Sequence, residues 1–249
     1  MNTLKAIFLG ALQGFTEFLP VSSSGHLAVF GQWFGRVSST LAFEVLLHLA
    51  TLIAVVIVYR ERLKKINFQF LVLLFIASVP AGVIGVLFDD VIEQAFSSSL
   101  LIGIAFLFTG TVLFLVGKLP QGKKEQVGIK EAIGMGLAQT VAILPGVSRS
   151  GMTIASGLAL GLKREEAAAF SFMMSIPVIL GAGLLELKDL LEVGSEGGGL
   201  TLVLGFGAAV ITGIIAINLV RKLLKSDNFN WFSYYLWGMG ALTIVISLI

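Results

Sequence analysis

Six stretches of this chain are apolar and long enough to cross a bilayer, at about 20 helical residues per crossing. They are residues 41–59, 68–88, 100–117, 167–185, 200–219 and 231–249. Inside hydrocarbon every backbone N–H and C=O must find a partner within the protein, and a lone segment manages that only as a helix. Apolar residues make up 56% of the chain and charged residues 13%, with a mean hydropathy of +0.96. Ordinary soluble domains do not have this composition. The fold class expected is all-α, a polytopic membrane protein. There is no cysteine, which excludes a disulfide framework and a thiolate metal site. Two histidines, His26 and His48, are too few for a His-rich metal cluster. The N-terminus lacks the charged, apolar and small-residue pattern of a cleaved signal peptide, so it is expected to belong to the mature fold.

Two further regions, 3–35 and 131–162, are apolar but broken in the middle. Each half has about 10–15 residues, marginal for a crossing. The first contains GALQGFTEFLPVSSSGH, residues 10–26. Gln13 and Glu17 are four apart and share one helical face. Pro20 ends that helix, since it has no N–H and disfavours helix at the preceding residue. Ser22, Ser23, Ser24 and Gly25 form a polar turn, and His26 opens the next apolar run. Irregular backbone survives at membrane depth only where it is buried in protein or lines a cavity. Polar groups held there mark a functional site.

The second broken region repeats the first. Residues 136–151 read GLAQTVAILPGVSRSG. Gln139 matches Gln13, Pro145 matches Pro20 with one gap, and Ser148-Arg149-Ser150-Gly151 matches Ser22-Ser23-Ser24-Gly25. The spans that follow also match: AFEVLLHLAT (42–51) resembles AFSFMMSIPV (169–178), with His48 opposite Ser175. Two repeats are expected, 1–118 and 119–249, together one membrane domain. Each is a re-entrant helical hairpin followed by three spans. Three is odd, so the halves have opposite orientations, an inverted repeat of the kind in which broken helices meet near the bilayer midplane.

The charges fit that topology. One face receives Arg60, Arg62, Lys64, Lys65, Lys118, Lys123, Lys124, Lys130, Lys163, Arg164, Arg221, Lys222 and Lys225. The other receives Lys5, Arg36 and Lys188, together with Asp89, Asp90, Glu93, Glu186, Asp189, Glu192 and Glu196. Positive loops stay cytoplasmic, so both termini are expected outside. The basic loops are a topology signal, not a nucleic-acid patch. Arg149 is left at the tip of the second hairpin with no loop to belong to. Residues 193–199, VGSEGGG, are expected as a flexible external loop, and Phe229–Trp237 as an aromatic interface anchor.

With the tips together, Ser22, Ser23, Ser24 and His26 face Ser148, Arg149, Ser150 and Thr153. The second half-helix of each hairpin starts at its tip, so its free N–H groups and positive dipole end form an anion site. Arg149 adds a planar fork suited to phosphate. Ser23 needs a base to act as nucleophile. His26, three residues on, is expected to supply it, with Glu17 orienting the imidazole or holding a divalent cation. Structural alternatives stand beside these roles. Ser22 and Ser24 can serve as N-caps, Glu17 and Arg149 as a buried pair, Gln139 and Glu44 as braces, and His48 as a structural residue.

At these residues the chain resembles the undecaprenyl-diphosphate phosphatases, the bacitracin-resistance family. QGFTEFLPVSSSGH and PGVSRSGMT (145–153) are similar to its two motifs. The resemblance implies an integral enzyme of the bacterial cell membrane. It would convert undecaprenyl diphosphate to undecaprenyl phosphate, the lipid carrier for cell-wall polymers, and so bear on bacitracin resistance. It implies Glu17, Ser23, His26 and Arg149 as essential residues, and Gln13, Ser22, Ser148, Ser150 and Thr153 as supporting, substrate-binding ones; Ser24, from its place at the tip, is a further substrate-binding candidate. It also implies Mg²⁺ or Ca²⁺. Gln13 stands where many members have Glu, which leaves Glu17 as one acidic ligand and favours a cation carried by the diphosphate. The partners implied are a lipid diphosphate and membrane lipids, with homodimerisation left open. His26 as nucleophile is a competing form of the mechanism. From another class, an anion or lipid-phosphate transporter would use the same midplane site, but needs no nucleophile and base.

Overall fold

A computed structural model describes residues 2–33, 41–193, 199–225 and 228–248. These form α-helices and one 3₁₀ turn, and no β-strand occurs among them. In chain order the helices are α1 (Thr3–Phe18), α2 (Ser23–Trp33), α3 (Leu41–Leu63), α4 (Phe68–Leu87), α5 (Asp89–Phe96) and α6 (Ser99–Gly117). After the connection come α7 (Ile129–Val141), α8 (Arg149–Ala159), α9 (Arg164–Val193), α10 (Gly199–Lys225) and α11 (Trp231–Ser247). The protein is all-α and polytopic.

Among the described residues, five helices are long and apolar enough to cross a membrane, namely α3, α4, α6, α9 and α10. The expected sixth span, 231–249, is present as α11 with 17 residues, at the short end of the spanning range. By contrast, α2 and α8 have 11 residues each, about 16 Å of helix, too short to cross. Several helices outrun their apolar runs. α3 continues to Leu63, carrying Arg60 and Arg62 in its last turn, and α9 starts at Arg164. Long basic side chains extend helices in this way by reaching from an apolar stem to the aqueous boundary. The acidic stretch at Asp89–Glu93 is itself helical, as α5, with both aspartates in the first turn where the helix dipole favours them. Arg36 and the loop read from 193–199, through residues 194–198, lie outside the described residues.

Local chemistry sets the helix ends around the site. Asn2 caps α1 by accepting from the Lys5 N–H at 2.8 Å. α1 stops at Phe18 because Leu19, before Pro20, is extended at φ −62 and ψ 139. Ser148 caps α8, its Oγ accepting from the Gly151 N–H at 3.1 Å.

Packing is exchanged between the two halves. α1 lies along α10, and α7 lies along α4. α3 packs on α9, and α6 on α11. The α1–α10 contact is a backbone approach: a Cβ on Gly10 would overlap the Gly205 carbonyl, and one on Gly14 would overlap Thr212. Without a hydrophobic drive inside lipid, small residues at such crossings supply the dispersion contact that holds helices together. At the basic end, ion pairs join separate elements, Arg62 with Glu166, Lys225 with Glu165 at 2.6 Å, and Lys163 with Glu125. The link between the halves is pinned there by a single bridge of Lys124 with Leu162.

Replacing Gly10 with Leu is therefore expected to destabilise the fold by about 1–3 kcal/mol, read as a lowered unfolding midpoint in detergent. Gly82, with nothing within 4 Å of its would-be Cβ, should accept Ala without such a loss.

Candidate active site

The two hairpin tips touch. A Cβ on Gly25 would press on the Gly146 backbone at 2.7 Å, and Gly146 itself has φ +88. Only glycine suits either position without strain. Ser150 Oγ donates to the Leu19 carbonyl at 3.1 Å, tying the start of α8 to the end of α1.

Glu17 is the centre of the junction and is buried. Its Oε1 pairs with Arg149 of the other hairpin. Its Oε2 accepts from Gln13 Nε2 at 3.0 Å and from Ser23 Oγ at 3.0 Å. His48 Nε2 stands 3.9 Å from the same oxygen. A second contact of Arg149 runs from Nη1 to the Ser171 carbonyl at 3.4 Å. The structure thus brings Gln13, Glu17, Ser23 and Arg149 into one cluster, with His48 at its edge.

His26 is placed differently from the base expected of it. Its Nδ1 donates to the Ser22 carbonyl at 2.8 Å, and its Nε2 meets the Tyr235 hydroxyl at 2.7 Å. Both ring nitrogens are occupied, so in this conformation the group in reach of the Ser23 proton is Glu17. The same occupancy argues against His26 as nucleophile.

The remaining serines divide their work. Ser22 has φ +68 and its Oγ accepts from the Gly25 N–H at 3.3 Å, so it caps α2. Ser24, Ser148 and Ser22 line a small polar cavity of about 50 Å³ between the tips, together with Glu17, Ser23 and Arg149. Ser150 and Thr153 are buried and spend their hydroxyls on protein partners, Ser150 on Leu19 and Thr153 on the Arg149 carbonyl at 2.8 Å and Ser171 Oγ at 2.6 Å. They join elements rather than face a ligand. Gln139 donates to the Ala77 carbonyl at 3.3 Å and braces α7 on α4.

Two larger cavities reach the cluster. One, of about 770 Å³, is mostly apolar, lined by Phe8, Leu12, Leu27 and Phe30, with Gln13, Ser23 and His48 among its polar residues. The other, of about 250 Å³, lies between α3 and α9 and is lined by Glu17, His48, Arg149 and Ser175 with Val178 and Ile179. A buried ion pair, a hydroxyl directed at its carboxylate and an apolar groove therefore meet at Ser23.

Residues 6–242 match the family of the bacitracin resistance protein BacA. The chain belongs to this family. It is 41% identical over 256 residues to a protein of Carboxydothermus hydrogenoformans named undecaprenyl-diphosphatase, covering 99% of this chain and 98% of that one. A protein of the same name from Alkaliphilus metalliredigens is 40% identical over 275 residues, covering 100% of each chain. Another, from Methanobrevibacter smithii, is 40% identical over 275 residues, covering 100% of this chain and 99% of its own. The BacA match includes both tips and every residue of the cluster.

The BacA-family resemblance implies a divalent cation, and the donor set at the tips can be weighed against it. At the tips themselves one carboxylate is present, already paired with a guanidinium, while Glu44 and His48 line the adjoining cavities. The adjoining amide, Gln13, keeps a buried Oε1 without a hydrogen-bond partner. One neutral oxygen beside one compensated carboxylate is a poor cage for Mg²⁺ or Ca²⁺, which take six or more oxygens. Among the described residues no group of three or more His, Cys, Asp or Glu is arranged to hold a metal ion. The tips do not fit a resident cation.

Three residues at the site escaped the sequence reading: Thr109, which accepts from the Ser148 N–H at 3.3 Å, Ser171 and Tyr235. Each is a polar residue within an otherwise apolar span, which was the available signal.

Replacing Arg149 with Met would strand a buried carboxylate and is expected to cost about 3–5 kcal/mol. The double variant Glu17→Gln with Arg149→Met should recover much of that loss. Unfolding in mixed micelles measures both, and equal stability of wild type and Arg149→Met would show that the pair does not join the tips.

Proposed function

We propose that the chain hydrolyses undecaprenyl diphosphate to undecaprenyl phosphate and inorganic phosphate, at the junction of its two hairpin tips. One observation carries the proposal: Ser23 Oγ donates to Glu17, beside Arg149, on the wall of an apolar groove. The names of its BacA-family relatives supply the substrate. The groove suits a long prenyl chain and the polar cavity a phosphoryl group.

Arg149 has five N–H donors; Glu17 and the Ser171 carbonyl engage two of its nitrogens. The remaining donors, with the N-termini of α2 and α8, receive the terminal phosphate. Ser23 Oγ attacks phosphorus and its proton passes to Glu17 Oε2. The bond from phosphorus to the bridging oxygen breaks, and undecaprenyl phosphate leaves with that oxygen. Water then cleaves the phosphoserine and restores Ser23. A carboxylate is a weak base, but phosphoryl transfer goes through a loose transition state in which positioning and charge stabilisation dominate. His26 is assigned to holding the turn rather than to moving the proton. Mg²⁺ or Ca²⁺ enters as a counter-ion of the diphosphate, and no step is assigned to it.

The exchanged packing of α1 on α10 and α7 on α4 supports an inverted relation between the halves. The two cavities that reach the cluster are lined by α1, α2, the first turns of α3 and the middle of α9, and neither is lined by Arg62, Lys163 or Arg164. With the basic end cytoplasmic, the site opens outward in the cell membrane and both termini lie outside. The chain has no cysteine, so Asn2→Cys tests this directly. A membrane-impermeant maleimide should label it in intact cells, and labelling only after lysis would reverse the topology.

The activity test is phosphate release from undecaprenyl or farnesyl diphosphate by detergent-purified protein. Ser23→Ala should lose at least about 10³-fold in kcat. EDTA should slow turnover, while the substrate-free protein should take up no Mg²⁺ in a calorimetric titration. Release that survives Ser23→Ala would overturn the serine mechanism. Folded wild type that releases nothing would turn the reading to a carrier of lipid phosphates.

A further inference from the structure

Tyr235 lies on α11, in the second half of the chain, yet its hydroxyl meets His26 of the first tip at 2.7 Å. The two rings are stacked, with centroids 5.7 Å apart and planes 6° from parallel. On its other side, His26 Nδ1 faces the Ser22 carbonyl at 2.8 Å. A carbonyl oxygen only accepts, so Nδ1 carries a proton. A neutral imidazole has one N–H, so Nε2 is the acceptor and the Tyr235 hydroxyl the donor. The direction of the whole chain is thereby fixed, from Tyr235 O–H to Nε2, and from Nδ1–H to Ser22.

Ser22 is the one non-glycine residue with positive φ among those described, at +68. That conformation is strained for a residue that carries a β-carbon. Its carbonyl receives two donors from His26, the backbone N–H at 3.2 Å and Nδ1 at 2.8 Å. The next residue is Ser23, whose Oγ reaches Glu17. A turn that relaxed at Ser22 would swing Ser23 off the carboxylate.

We propose that Tyr235 is a positioning residue for the Ser23 centre, acting through His26, whose tautomer it fixes so that Nδ1–H locks the left-handed turn at Ser22. The inference rests on the phosphatase reading and deepens it, by joining the second half of the chain to the nucleophile of the first.

The test is a double-mutant cycle. In His26→Asn the amide nitrogen stands where Nδ1 stood and can still donate to Ser22, but nothing replaces Nε2. In His26→Gln the amide overshoots toward Nε2. His26→Asn should stay within about tenfold of wild type, whereas His26→Gln should lose at least about 10²-fold, the cost of a misplaced reacting group. Tyr235→Phe should lower kcat about five- to tenfold with KM unchanged, and should cost nothing further in the His26→Asn background. A readout independent of activity is NMR of protein labelled with ¹⁵N-histidine, which has two imidazoles. Tyr235→Phe should shift the resonances that His26→Asn deletes and leave those of His48 in place.

Equal losses in His26→Asn and His26→Gln would mean that His26 acts as a base, and would overturn the proposal. So would the same Tyr235→Phe penalty in both backgrounds, which is the mark of packing alone. If folded wild type releases no phosphate, the phosphatase reading falls. The link to His26 is then decided by NMR, where unmoved His26 resonances overturn it.

Discussion

The ion pair of Glu17 with Arg149 is the interaction on which the rest of this structure depends. It joins two hairpins that come from opposite halves of the sequence, 132 residues apart. Each hairpin presents a broken backbone and several hydroxyls buried where solvent does not satisfy them. Alone, either tip would be an expensive defect. Together, a carboxylate meets a guanidinium, Gly25 meets Gly146, and Ser150 closes on Leu19. A buried pair of this kind contributes little net stability over an apolar one. What it does hold is a serine hydroxyl directed at the shared carboxylate.

The helices around the junction serve its geometry. The glycine contacts of α1 with α10 let the first hairpin lie against the other half at backbone distance. The second hairpin leans on α4 in the same manner, with the Ala77 backbone close to Gly136. Thr109 of α6 and Ser171 of α9 then meet the backbone of Ser148 and the guanidinium of Arg149. The tips are thus gripped from four spans, and a site gripped in this way holds its reacting groups without loop closure.

Much of this is legible in the chain itself. Pro20 and Pro145 mark the breaks, the apolar runs mark the spans, and the matched serine turns single out Glu17, Ser23 and Arg149 before any coordinates. Sequence spacing is less informative about His26. Three residues from Ser23 looks like reach, but the ring follows the first turn of α2 back to the Ser22 carbonyl. Its other nitrogen is claimed by Tyr235, 209 residues away. Spacing orders residues along one helix and carries no information about an acceptor on another. For the same reason Ser150 and Thr153, which share the tip with Arg149, turn out to face α1 and α9 rather than the cavity. His48 is the converse, a residue in mid-run that the packing of α3 brings to 3.9 Å from Glu17.

The two hairpin stretches share a sequence pattern but not a chemistry, and in the proposed function that asymmetry is what makes the junction a site. Gln13 and Gln139 occupy matching places, yet Gln13 bonds to Glu17 whereas Gln139 bonds to a backbone carbonyl. Where the first tip has Glu17, the matching stretch of the second has Ala142 and Ile143. Where the second has Arg149, the first has Ser23. Each hairpin therefore lacks what the other provides: the serine hydroxyl and its carboxylate on one side, the fixed positive charge on the other. Two carboxylates meeting at the tips would repel each other and an incoming diphosphate. Two arginines would bind phosphate but leave Ser23 without an acceptor for its proton. One of each neutralises the buried charge before substrate arrives and leaves donors on Arg149 for the phosphoryl group. A junction of identical tips would not have placed a hydroxyl, a carboxylate and a guanidinium at one point.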